Sequence, residues 1–302
     1  MDLIAAEGIE KRFGQLTALR DISLRVRRGE LYGLIGPDGA GKTTFFRILT
    51  TLMLPDGGRA TVDGLDIATD YRRIRAAVGY MPGRFSLYPD LTVKENLEFF
   101  ATLFGTRLED NYDLIRDIYV QIEPFRSRRA GRLSGGMKQK LALCCALIHR
   151  PRVLFLDEPT TGVDVVSRHE FWDMLSGLKR QGITMLVSTP YMDEAVRCDR
   201  IALIQSGRLL SIDTPRGIIE NYPDALFEVR AENMRQLTDE IRKRCSPQSC
   251  FAFGRSLHVS FSRDDAEAPQ RMRAALTAAG CTNLEIAPIT PSIEDCFIQQ
   301  MR

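Results

Sequence analysis

The chain has 302 residues, a length that suggests about two domains at roughly 150 residues each. Lys and Arg total 41 against 39 Asp and Glu, so a net charge of +2 gives no electrostatic case for nucleic acid as the main partner. Hydrophobic residues make up 44% and charged residues 26%, which excludes a mostly disordered chain and leaves room for a sizeable core.

Ile22, Leu24 and Val26 alternate with Ser23, Arg25 and Arg27, the period of a strand. Arg28-Gly29-Glu30 turns the chain, and Leu31 to Ile35 is a short apolar run typical of a strand buried on both faces. A glycine-rich loop follows. A helix is predicted from Thr43 to Met53, stopped by Pro55-Asp56-Gly57-Gly58. Thr92 to Arg132 reads as helical and mixed in polarity. Leu141, Cys144, Cys145 and Ile148 fall at i, i+3, i+4 and i+7 and predict one buried helix face. This stretch is the densest apolar run, and it is far short of the roughly 20 residues that a bilayer helix needs.

Val153 to Leu156 is a second buried-type strand. A helix from about Val165 to Lys179 and a strand from Ile183 to Ser188 follow. Ile201 to Gln205 and Leu209 to Ile212 flank Ser206-Gly207-Arg208 and predict a hairpin. Strands alternating with helices imply a mostly parallel sheet with helices on both faces. Near Tyr222-Pro223 the pattern changes to β (226–230), α (234–244), β (250–253), β (257–261), α (269–279), β (283–286). That order matches a ferredoxin-like split βαβ unit and places a domain boundary between residues 1–222 and 223–302.

Gly36-Pro37-Asp38-Gly39-Ala40-Gly41-Lys42-Thr43 fits G-x-x-x-x-G-K-[ST] between a predicted strand and helix, the context that confirms a phosphate loop. Glycines let backbone N–H groups turn toward phosphates without Cβ clashes. The helix start points its positive dipole end at the same anion. Lys42 adds a point charge for the β/γ phosphates, Thr43 offers a hydroxyl to Mg²⁺, and Thr44 is counted with these nucleotide-binding residues. Asp157-Glu158 ends the strand Val153 to Leu156, at the sheet edge where ligands bind in such folds. Asp157 is placed to hold Mg²⁺ through water, and Glu158 to polarise the attacking water as general base.

Leu133-Ser134-Gly135-Gly136-Met137-Lys138-Gln139 lies between these two motifs. With it the chain resembles the ATP-binding cassette (ABC) ATPases over about residues 3–220, and more closely the ATP-binding subunits of ABC-2-type exporters. The resemblance implies a P-loop α/β cassette with a mixed sheet core and a helical subdomain at about 84–135, followed by a small α+β domain. It implies ATP and Mg²⁺ as cofactors and separate transmembrane permease subunits as partners. It also implies a second cassette, whose phosphate loop meets the signature Leu133 to Met137 across a shared ATP. Phe13 matches the family's adenine-stacking aromatic, and Thr161-Gly162-Val163-Asp164 the loop that touches the opposite cassette. Segment 289–297 resembles the exporters' C-terminal extension. The expected location is the cytoplasmic face of the cell membrane.

Two positions depart from the family. Gly83 stands where Gln is usual in Tyr80-Met81-Pro82-x, and Pro190 stands where His follows Ser188-Thr189. Proline has no N–H and no side-chain donor for the γ-phosphate. The pattern suggests a slow site of its own and an intact signature that completes an active site on a different cassette. The homodimer, a non-hydrolytic nucleotide-dependent scaffold and a soluble non-transport ABC ATPase are the alternatives. Met1 to Gly14 has an early acid and no apolar block, so no secretory signal is expected. The seven cysteines make no disulfide framework at this length, and Cys245 and Cys250 lack a second pair at zinc spacing. A reducing compartment and no structural metal are expected.

Overall fold

A computed structural model describes residues 1–301. The chain divides into two compact units, Met1–Pro215 and Arg216–Arg302. The first contains β1 (Asp2–Phe13), β2 (Leu16–Arg27), β3 (Leu31–Ile35), α1 (Lys42–Leu49), β4 (Gly57–Val62), β5 (Leu65–Asp66), α2 (Tyr71–Ala77), β6 (Val78–Met81), α3 (Val93–Leu103) and α4 (Tyr112–Tyr119). It continues with α5 (Gly135–Leu147), β7 (Val153–Asp157), α6 (Val165–Arg180), β8 (Thr184–Thr189), β9 (Arg200–Gln205) and β10 (Arg208–Asp213).

A six-stranded sheet has the order β10-β9-β3-β8-β7-β6. Its strands run parallel except β10, which returns antiparallel from β9 as the predicted hairpin. Every residue of β3, β7 and β8 is buried, as the apolar runs Leu31 to Ile35 and Val153 to Leu156 require when both faces are covered. The covering differs from the expectation of helices on both faces. A separate antiparallel sheet, β2-β1-β4-β5, supplies one layer. Ile4, Ile22 and Val26 of that sheet, Phe45 and Phe46 of α1, and Phe155 and Leu186 of the parallel sheet belong to one buried cluster. Ile22, Leu24 and Val26 announce β2, but β1 pairs with it through several register shifts, which interrupt the alternation along β1.

Helix α1 stops at Leu49 rather than Met53. The Thr50 hydroxyl bonds back to Phe46 O at 2.8 Å, and Thr51 turns into left-handed φ at +62°. Arg75 of α2 then holds the Thr51 carbonyl at 2.6 Å. Segment 92–132 is α3, α4 and three short 3-10 turns rather than continuous helix. Thr92 and Glu95 form a capping box that starts α3. Helix α5 buries the four expected apolar residues, but Leu143 and Leu147 of its other side are buried too. It packs against α3, α4, α6 and β6, so from Leu143 onward it is buried on more than one side and the one-face prediction is too narrow.

The second unit begins within α7 (Pro215–Glu220) and contains β11 (Asp224–Arg230), α8 (Met234–Arg244), β12 (Ser249–Phe253), β13 (Ser256–Ser262), α9 (Ala268–Ala278), β14 (Glu285–Pro288) and α10 (Ile293–Gln300). Its sheet order β12-β13-β11-β14, antiparallel throughout, is that of a ferredoxin-like unit. Leu237, Ile241, Met272 and Leu276 of α8 and α9 share a core with Val229, Val259 and Phe261. The unit begins earlier than residue 223, because Ile218 accepts from Cys296 Sγ at 3.6 Å and Tyr222 O accepts from Arg263. Strand β14 starts two residues late, after Asn283 takes left-handed φ at +52°. Helix α10, which the strand pattern did not include, is started by a Ser292–Asp295 capping box and tied to β13 by His258 Nδ1 and Asp295 Oδ1 at 2.7 Å.

Candidate functional site

Strand β3 delivers the chain into a loop in which two glycines are sterically required. A Cβ on Gly36 would stand 2.1 Å from the Ile204 carbonyl oxygen, and one on Gly41 would stand 2.6 Å from that of Ala18. Gly41 also has φ of +105° and caps α1 without any side-chain bond. The first N–H groups of α1, at Lys42, Thr43 and Thr44, therefore keep no capping partner and form an anion-binding end. Pro37, Asp38, Gly39 and Ala40 make the intervening turn, with Ala40 N–H donating to Pro37 O at 3.2 Å. Lys42 is buried, and its Nζ donates to Gly36 O at 2.7 Å and Pro37 O at 2.9 Å.

Strand β7 brings the two acids to the same place. Glu158 Oε1 lies 3.0 Å from Lys42 Nζ. Asp157 is buried beside Thr43, and its Oδ1 accepts from Ser188 Oγ at 2.7 Å. Burial pushes the Asp157 pKa up, and the hydrogen bonds from Ser188 and Thr43 oppose that rise. Glu158 occupies left-handed backbone, φ +50°, and its N–H donates to Ser188 O at 3.1 Å and Ser188 Oγ at 3.0 Å. The neighbouring strand holds the loop as well, because Gly36 N–H donates to Thr189 O at 3.2 Å.

Lys42, Thr43, Thr44 and Glu158 line a cavity of about 400 Å³, with Phe13 at 46% exposure also on its wall. The donors fit a nucleotide phosphate, and the Asp157–Thr43 pair is the oxygen set a hard divalent cation prefers. Magnesium there would be held by Thr43 and by Asp157, and would neutralise charge on the phosphate oxygens.

Gly83 sits against the acids: a Cβ on it would lie 3.0 Å from Asp157 O and 3.7 Å from Glu158 Cβ. Pro190 directly follows Thr189 at the end of β8. The signature stands apart, since none of Leu133 to Met137 lines the cavity. Ser134 caps α5 by accepting from Met137 N–H at 3.3 Å. Leu133 is buried, while Ser134 and Gly135 are exposed. Gly136 is required by close packing, because its Cβ would lie 2.7 Å from Ser167 Oγ of α6. A Cβ on Gly135 would meet only Gly162 O, at 3.6 Å.

Two features escaped the sequence reading. Glu194 accepts from Thr160, Thr189 and Arg168, and Thr160 and Arg168 are remote from it along the chain. A groove of about 170 Å³ runs between β6 and helices α3 and α5, lined by Tyr80, Met81, Leu87, Phe100, Phe104 and Cys145 among others. His149 closes it, stacked on Phe104 at 3.8 Å between centroids. Burial holds the His149 pKa below its ordinary value, and its bond to Val78 O opposes that shift only in part.

A family model described as ABC transporter matches residues 19–161. The Nod factor export ATP-binding protein I of Burkholderia lata is 36% identical over 96% of this chain and 94% of its own length. The chain belongs to the ABC transporter family, among its ATP-binding proteins. The probable multidrug ABC transporter ATP-binding protein YbhF of Escherichia coli is 37% identical over 98% of this chain, but over only 51% of its own length. The ABC chain described here thus spans about half of that relative and of its Shigella flexneri counterpart. The daunorubicin resistance ATP-binding protein DrrA2 of Streptomyces coeruleorubidus is 42% identical over 71% of this chain and 68% of its own. A solved ATP-binding subunit of an ABC transporter is 27% identical, with a TM-score of 0.66 over 73% of this chain and 93% of that one. The cbiO1 structure from Clostridium perfringens, 23% identical, has the same TM-score of 0.66 over 73% of this chain and 91% of its own, and shows the same ABC fold.

Among the described residues no helix is long and apolar enough to cross a membrane.

Proposed function

We propose that this chain binds and hydrolyses ATP on behalf of separate permease subunits that export a solute, from the cytoplasmic face of the cell membrane. The observation that carries the reading is the convergence of Lys42, Asp157 and Glu158 beside an uncapped helix start, with both acids buried or half-buried. Lys42 and the α1 N–H groups bind the β/γ phosphates, and Phe13 stacks on the base. Glu158 accepts a proton from the attacking water once ATP draws Lys42 away from it. Export as the direction is supported by the names of the relatives, which concern multidrug transport, Nod factor export and daunorubicin resistance.

A second cassette supplies the other half of the ATP site. Ser134 and Gly135 are exposed and do not line the chain's own phosphate cavity, which supports this reading. ATP that bridges two cassettes favours their closure through its higher affinity for the closed state, and hydrolysis removes the bridge. The groove between β6, α3 and α5 is the apolar face offered to the permease, in line with the family's helical subdomain.

The pair is asymmetric in this proposal. Gly83 and Pro190 remove two side chains that the family places at the acid pair and the γ-phosphate, while every phosphate-binding residue is kept. Losing one transition-state donor typically costs about 10²–10³ in rate. The test is phosphate release by the chain alone and in the complex purified from its native membrane. Expected are slow turnover alone, faster turnover with a different cassette present, and a gain on Pro190→His with Gly83→Gln. Brisk turnover by the lone chain, unchanged by both substitutions, would defeat the asymmetric pair. Absence of turnover in every assembly would leave the scaffold reading in its place.

A further inference from the structure

The Glu194 carboxylate is 4% exposed and belongs to the short 3-10 helix Met192–Arg197 after β8. Three donors from three segments converge on it. Thr160 Oγ1 lies 2.8 Å from Oε1 and 3.1 Å from Oε2, Thr189 Oγ1 lies 2.5 Å from Oε2, and Arg168 Nε lies 3.1 Å from Oε1. A carboxylate this deep is tolerated only when it is paired and hydrogen-bonded, so the cluster holds all four side chains in register.

Each donor belongs to a working part of the cassette. Thr160 is two residues past Glu158. Thr189 directly precedes Pro190, and its carbonyl accepts the Gly36 N–H of the phosphate loop. Arg168 lies in the first turn of α6, after the loop Thr161–Asp164, and its guanidinium covers the Tyr191 ring at 3.9 Å. Glu158 itself holds a left-handed φ of +50°. In a non-glycine residue that conformation persists where the surroundings over-determine it. Ser188 restrains Glu158 from the upstream side through its N–H. The Thr160 hydroxyl, bound to Glu194, restrains the turn from the downstream side.

We infer that Glu194 is a positioning residue. Through Thr160 and Thr189 it sets where the Glu158 carboxylate stands relative to the phosphate loop, and through Arg168 it ties that position to the loop Thr161–Asp164. Its kinetic consequence rests on the proposed ATPase reading; its structural consequence does not.

The test uses the full purified chain by itself, so that the turnover read is that of its own Glu158 site, with MgATP as the probe. Thr160→Val and Glu194→Gln are each expected to lower kcat about 10- to 100-fold, the scale of a small misplacement of a reacting group. The KM for ATP should stay within about twofold, because phosphate binding is not touched. Thr160→Ser keeps the hydroxyl and should restore the wild-type rate. The double variant Thr160→Val/Glu194→Gln should be no worse than its worse parent, since the Thr160 tie is one that Glu194→Gln already disturbs. Hydrogen exchange without ATP should rise in Glu194→Gln at residues 158–161 and 189–191 while Phe45 to Leu49 of α1, whose amides are bonded from Phe45 N–H to Gly41 O onward, stay protected. Unchanged kcat with exchange raised evenly across the cassette would overturn the inference, as would failure of Thr160→Ser to restore the rate. A wild type that releases no phosphate in any assembly counts against the ATPase reading. The exchange pattern then decides this inference by itself: a local rise supports it and an even rise overturns it.

Discussion

The phosphate loop and the signature are both glycine-bearing helix starts, yet the protein treats them in opposite ways. Gly36 and Gly41 are locked in by backbone atoms of Ile204 and Ala18, and Lys42 is buried with two carbonyls and a carboxylate around its ammonium. Gly136 is fixed by α6, but Ser134 and Gly135 face outward with little against them. One loop is finished within its own chain. The other has a residue whose identity nothing inside the chain demands, and such a residue points to a partner outside it.

The comparison can be broken by substitution, with the greatest effect at the phosphate loop. Gly36→Ala and Gly41→Ala force a Cβ against backbone, an overpacking that costs about 1–3 kcal/mol or more. Both should abolish ATP binding and lower the melting temperature, read by calorimetry and by a fluorescent nucleotide. Glu158→Gln should lower phosphate release by the lone chain about 10²–10⁴-fold, the usual worth of a positioned base, while ATP-driven pairing of cassettes persists in size-exclusion chromatography. Phe13→Ala should weaken ATP binding by about 1–3 kcal/mol, the worth of one base–aromatic stack, and Phe13→Tyr should not.

Effects on stability should be small at the signature. Gly135→Ala meets only ordinary contact at 3.6 Å, so thermal stability should hold within about 0.5 kcal/mol. Pairing under ATP should nevertheless weaken. A Gly135→Ala chain that unfolds, or pairs as well as wild type, ends the contrast drawn between the two loops. The mildest prediction concerns His149. Its pKa in the folded state lies below the ordinary 6.5, so the stability it contributes is full above that pH and is lost as pH falls through the lowered folded value. A His149→Gln chain should lose that part of the acid sensitivity, measured as melting temperature between pH 7 and about pH 5.

The motifs were legible because their requirements are local. A loop that must aim N–H groups at phosphate needs glycine at fixed spacing, and Gly36 to Thr43 carries that need in eight consecutive letters. The parallel strands were legible because burial on both faces writes an unbroken apolar run at Leu31 and Val153. The antiparallel layer was legible only in part: Ile22, Leu24 and Val26 announce β2, but register shifts along its pairing with β1 interrupt the alternation elsewhere. Helix α5 was read too narrowly, because periodicity finds one face and cannot report a second burial partner. The Glu194 cluster was invisible for another reason. Thr160 and Arg168 are 34 and 26 residues from it, and only the fold makes them neighbours.

Ser188 and Thr189, the last two residues of β8, each carry a neighbour by its backbone: Ser188 the Glu158 amide, Thr189 the Gly36 amide. Anchor and reactant group are thus surveyed from a single benchmark at the tip of one strand. Position 190 comes directly after that benchmark. A displacement of that strand tip would carry anchor and reactant group along together, whereas a side chain installed at position 190 would act beside them without moving either.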